Sequence, residues 1–121
     1  MILRLFIQMV KNNFVYIKQI LDYISDIEDF TRNIQEEKFL NNKLVQFAVI
    51  RCYEVIGEAV KKIDPDFRKK YDQVPWKYIA GLRDILIHNY EGVNPASVWE
   101  TTIKDLPIFK AQLLQIRADE S

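Results

Sequence analysis

Leu3, Ile7, Val10, Phe14, Ile17, Leu21 and Ile24 recur at alternating steps of four and three residues. That spacing holds one apolar stripe along a helix over residues 2–28, roughly 40 Å at 1.5 Å per residue. A stripe of that length is buried only by other helices laid along it, so the chain must build a helical bundle. The rest of the sequence agrees. There are three glycines and four prolines in 121 residues, and no alternating strand pattern or repeat interrupts the helical periods.

Asp22, Asp26, Glu28 and Asp29 crowd the end of the first segment, where the helix dipole disfavours them, so the helix is expected to stop there. Residues 29–38 read as a loop with room for a short helical turn. A second helix begins somewhere in 37–42 and runs to about Ile63. Leu44, Phe47, Ala48, Val55 and Ala59 line one of its sides, and Val45, Val49, Cys52, Ile56 and Val60 the next. So wide an apolar arc marks the central helix of the bundle. Arg51, Glu54, Glu58 and Lys62 form its polar strip, where Arg51 pairs with Glu54 or Glu58. Gly57 costs about 1 kcal/mol relative to alanine in a helix interior, which a close helix crossing would explain.

Asp64-Pro65, Val74-Pro75-Trp76 and Asn94-Pro95 punctuate the remainder, with a polar cap before proline at two of them. They predict a short helix around 65–71, a helix from Pro75 to about Asn89 ended by Gly92, and a last helix from Pro95. That last helix carries Val98, Trp99, Ile103 and Leu106, is kinked or restarted by Pro107, and continues with Ile108, Leu113, Leu114 and Ile116 to about Arg117. Residues 118–121 read as a disordered tail. The expected architecture is a single all-α domain, an up-and-down bundle of four to five helices.

Seventeen basic residues balance seventeen acidic ones, so the chain lacks the basic excess of a protein that coats nucleic acid. Cys52 stands alone and reads as a small buried hydrophobe. The first ten residues are apolar, but Arg4 and Gln8 interrupt them and no small-residue cleavage site follows. No apolar run approaches the ~20 residues of a membrane span. The expectation is a cytoplasmic protein with no membrane association.

The chemistry concentrates in residues 83–90, Arg-Asp-Ile-Leu-Ile-His-Asn-Tyr, which hold the single histidine. On a helix Lys77, Gly81, Asp84 and His88 share one stripe, and Trp76, Ala80, Arg83, Ile87 and Tyr90 the neighbouring one. Arg83 and His88 diverge by about 140°, so one helix does not aim both at one atom. Two such helices facing each other would, and Ala80 and Gly81 are small enough to let a second helix approach. A twofold homodimer is the simplest such arrangement. A neutral imidazole can take a proton from a ribose hydroxyl, and an imidazolium can return one to a leaving oxygen. A guanidinium can hold a phosphate, and Asp84 can set the histidine tautomer. One histidine does not make a zinc site. The same residues also fit plainer roles: His88 on the helix dipole, Arg83 paired with Asp84 or Glu91, Asp84 solvated, Tyr90 a core aromatic.

Arg83-x4-His88-x-Tyr90 resembles the signature of the HEPN superfamily, and of HepT-like toxins within it. The likeness extends through Val49-Ile50-Arg51, Ile56-Gly57-Glu58-Ala59, Val74-Pro75-Trp76, Ile79-Ala80-Gly81-Leu82-Arg83-Asp84, Ile87-His88-Asn89-Tyr90, Val93, Val98-Trp99 and Asp105-Leu106-Pro107, over about residues 45–117. The apolar start of the chain is its main departure. The resemblance implies a homodimeric helical bundle and a metal-independent endoribonuclease, with Arg83 and His88 catalytic, Asp84 assisting and no cofactor. It further implies the toxin half of a type VII-like toxin–antitoxin pair. The partner would be a minimal nucleotidyltransferase antitoxin that transfers AMP to Tyr90. The competing expectation is a non-catalytic HEPN module that binds a nucleotide or RNA, or docks the nucleotidyltransferase. A structural dimer without ligand is a third.

Overall fold

The computed structural model describes residues 2–88 and 94–121, without the side chains of residues 6, 8–11 and 83–88. The described residues are helical, without strands: α1 (Ile2–Thr31), α2 (Glu36–Leu40), α3 (Lys43–Lys62), α4 (Pro65–Lys70), α5 (Trp76–His88), α6 (Pro95–Glu100), a π-helical turn (Thr101–Asp105) and α7 (Leu106–Glu120). The all-α bundle stands as expected. Helix α3 is its axis and packs chiefly against α1 and α5.

Ile17 and Ile24 of the predicted stripe are fully buried, and Ile20 and Ile27 join them. Leu3 and Ile7 are exposed. The reason is length. Asn13 is buried and its Oδ1 accepts the Asp64 amide at 3.0 Å, just past the end of α3. The turns of α1 before Asn13 therefore run beyond the helix that would cover them. At its other end α1 outlasts the acidic cluster and reaches Thr31. Lys110 on α7 donates to both carboxylate oxygens of Glu28 at 3.0 Å, Arg32 holds Asp29 at 2.7 Å, and the Thr31 hydroxyl donates to the Ile27 carbonyl. Those partners offset the unfavourable dipole. Asn33, at φ 64°, then turns the chain in the left-handed region that asparagine tolerates.

The expected loop holds α2, whose Phe39 is fully buried and stacks at 5.2 Å on Trp99 of α6. Asn42 separates α2 from α3 by accepting the Val45 amide as an N-cap. On α3, Val49, Cys52, Ile56 and Val60 are buried as expected, and Arg51 pairs with Glu54 at 3.2 Å. Leu44 and Phe47 are not buried: they are 80% and 55% exposed. Their place in the core is taken by Gln46, which donates to the Phe39 carbonyl at 2.8 Å, and by Tyr53.

Asp64 and Asn94 cap α4 and α6 by accepting the Asp66 and Ala96 amides. The last helix restarts at Pro107 as expected, since α7 begins at Leu106 with the proline in its first turn. The chain widens into the π-helical turn, where the Leu106 amide reaches back five residues to the Thr101 carbonyl. The extra residue absorbs what proline removes, its missing amide and the clash with the preceding turn. Helix α7 then continues to Glu120, past the expected end near Arg117. Glu120 accepts from Lys70 at 2.8 Å and from the Tyr71 hydroxyl, which ties the last turn to α4. No described helix is long and apolar enough to cross a membrane.

Candidate active site

Helix α5 carries the candidate residues Arg83, Asp84 and His88, and Trp76 sets where it starts. The buried indole donates its N–H to the Tyr71 carbonyl at 2.9 Å and the Arg68 carbonyl at 3.1 Å, beside the backbone amides of Val74 and Tyr71 that those carbonyls also accept at the end of α4. Its ring meets Phe109 of α7 edge-on, with centroids 6.3 Å apart. Ile79 is buried as well. Position 83 lies seven residues after Trp76 and four after Ile79, on the arc that faces the bundle. Positions 84 and 88 follow Lys77 and Gly81 on the outer arc. A Cβ added at Gly81 would meet nothing within 4 Å, so this arc is open.

Arg83, Asp84 and His88 thus sit on one helix, in its last two turns. Their side chains lie outside the described residues, and Tyr90 and Gly92 lie outside them altogether. Among the described residues no group of three or more His, Cys, Asp or Glu is placed to hold a metal ion.

One feature beside the motif was not expected from the sequence. A cleft of about 320 Å³ opens between α5 and the π-helical turn with the start of α7. Tyr53 and Thr102 close the interior behind it. The Thr102 hydroxyl donates to the Val98 carbonyl at 2.8 Å, so Tyr53 must be the donor in its 2.7 Å bond to Thr102. Burial, more than any neighbour, raises the Tyr53 phenol well above its ordinary pKa, which keeps it a neutral donor. At the mouth, Tyr78 donates to Asp105 Oδ2 at 3.3 Å. The one hint in the sequence was Pro107, since a proline tolerated inside a helix requires a local widening.

The chain belongs to the HepT-like ribonuclease family: residues 20–116 match the family model described as "Ribonuclease HepT-like". A Methanocaldococcus jannaschii protein named "Putative RNase" is 49% identical over 104 residues, 86% of either chain. A second protein of that organism and name is also 49% identical over 104 residues, 86% of this chain and 90% of its own. A Thermococcus cleftensis protein named "Probable ribonuclease HepT" is 44% identical over 102 residues, 84% of this chain and 93% of its own. No solved structure matches the chain significantly. Ribonuclease activity is thereby supported at the level of the family.

Proposed function

We propose that the chain is a metal-independent endoribonuclease and the toxin of a toxin–antitoxin pair, active as a homodimer. The observation that carries this reading is the extent of the family match, which takes in the whole of α5 and residues 83–90. The open outer arc at Gly81 supports close approach of a second α5. With two chains facing, each supplies one imidazole. A neutral His88 takes the proton from the ribose 2′-hydroxyl, and the 2′-oxygen attacks phosphorus. The bond to the 5′-oxygen breaks, and that oxygen takes a proton from the protonated His88 of the other chain. The products are a 2′,3′-cyclic phosphate and a 5′-hydroxyl. Arg83 neutralises charge on the equatorial oxygens, and Asp84 orients the imidazole.

In this reading a minimal nucleotidyltransferase partner silences the enzyme by moving AMP from ATP to Tyr90. On a continued helix Tyr90 follows Arg83 by seven residues, so the added phosphate would stand beside the guanidinium and exclude RNA. His88→Ala is expected to abolish cleavage of a labelled RNA, in the presence of a chelator, while sedimentation still finds a dimer. A variant that cleaves as fast as the parent sinks the assignment. Parent protein that binds RNA without cutting it would instead favour a non-catalytic binding module, to which the balanced charge also lends itself. Intact mass after co-expression with a nucleotidyltransferase should rise by AMP units and return to the unmodified value in Tyr90→Phe.

A further inference from the structure

The cleft beside the motif has walls of one chemistry and a rim of another. Ile56, Pro75, Ile79, Leu82 and Phe109 make it apolar. Tyr78 stands at its mouth, 48% exposed, and its bond to Asp105 fixes the ring against that wall. The polar groups available to a ligand are mainly acceptors. Asp105 is an exposed carboxylate, and Thr101 offers a hydroxyl. Gln112 has its Nε2 committed to the Gln73 carbonyl, while its Oε1 is buried with no partner among the described residues. No lining residue is cationic. Such a cleft does not hold a phosphate. Its volume is at the small end of ligand sites, suited to one flat ring system with donors on its edge.

We infer that the cleft takes one unpaired base of an RNA strand, stacked on Tyr78 with an amino-bearing edge turned to Asp105. Single-stranded RNA is read in this way, by aromatic stacking and hydrogen bonds to exposed base edges. Guanine fits best, because its N1–H and 2-amino group offer a single carboxylate two adjacent donors. The π-helical turn has a function here: Thr101 and Asp105, its first and last residues, both reach the cleft. The inference rests on the ribonuclease reading for its place in the reaction. Leu82 lines the cleft and position 83 follows it on α5, so in this reading the strand that Arg83 holds passes round the helix to reach Tyr78. The cleft would then decide where the enzyme cuts.

The test uses the full chain and two heptamer RNAs methylated at every 2′-oxygen, one all uridine and one with a single central guanine. The guanine oligomer should bind about 10-fold tighter. Tyr78→Ala should weaken it about 10-fold, Tyr78→Phe should restore it, and Asp105→Asn should abolish the preference over uridine. Equal binding of the two oligomers, unmoved by these substitutions, overturns the inference. So does a change of sedimenting mass in Tyr78→Ala with RNA binding intact, since a second chain would then cover the cleft. Cleavage of the unmethylated oligomers is scored separately. A guanine preference sensitive to Asp105→Asn in a protein that cuts no RNA would sink the ribonuclease reading and leave the base site standing.

Discussion

Tyr53 and Cys52 are neighbours on α3 and both buried, yet they answer to different forces. Removing the Tyr53 hydroxyl strips Thr102 of a donor but leaves its own bond to Val98 intact, so no buried donor is orphaned. Tyr53→Phe should therefore cost only about 1 kcal/mol in urea unfolding. A loss above about 3 kcal/mol would mean that the hydroxyl has further partners. Cys52 is buried in the core. Burial, reinforced by Asp26 and opposed by Arg51, pushes its thiol from 9.0 up to about 11. Folding favours the neutral thiol, so the resulting stabilisation is complete below pH 9 and drains away as the pH climbs from 9 to 11. At pH 8 the native thiol should react with a chromogenic disulfide about 100-fold more slowly than the urea-unfolded chain, from its smaller thiolate fraction. Equal rates would contradict its burial.

Among the elements, α5 depends most on a single side chain. Trp76 contributes packing against Phe109 and a donor for two carbonyls at the end of α4. Trp76→Ala should lose about 3–5 kcal/mol in denaturant unfolding. Trp76→Phe should lose less, because the Tyr71 and Val74 amides still donate to the two carbonyls and only the indole's share of their bonding goes. If the site is on α5, the alanine variant should also lose cleavage in proportion to the folded fraction or beyond it. Much of this scale was legible in the sequence. The caps at Asp64 and Asn94 act over two residues, and the prolines after them act on their own backbone, so local chemistry announces them. The extension of α1 past its acidic cluster was not legible, because the lysine that answers Glu28 is 82 residues away.

Across the whole molecule, the question is which apolar surface the bundle buries. Two neighbouring arcs of α3 looked alike, and one of them carries Leu44 and Phe47 into solvent. Phe47→Ser should then move stability by no more than about 0.5 kcal/mol, against about 2–5 kcal/mol for Ile56→Ala in the core. Urea midpoints at matched slopes compare the two. A Phe47→Ser loss above about 1.5 kcal/mol that shrinks on dilution would place this arc in a chain–chain contact. The motif belongs to this scale too. Positions 83 and 88 follow different arcs of α5, as a 3.6-residue turn requires, and the proposed catalytic site needs two copies of the helix.

The sequence by itself determined the helical class, the cap positions and the family, because helix period, capping and the motif string are properties of residues a few places apart. Tertiary structure decided what depends on distant partners. It buried Phe39 beneath Trp99, chose Tyr53 and Gln46 over Leu44 and Phe47, left the start of α1 beyond the end of α3, and widened the last helix ahead of Pro107. A helical stripe states that a face can be covered, but only the neighbour's length and position determine how much of it is.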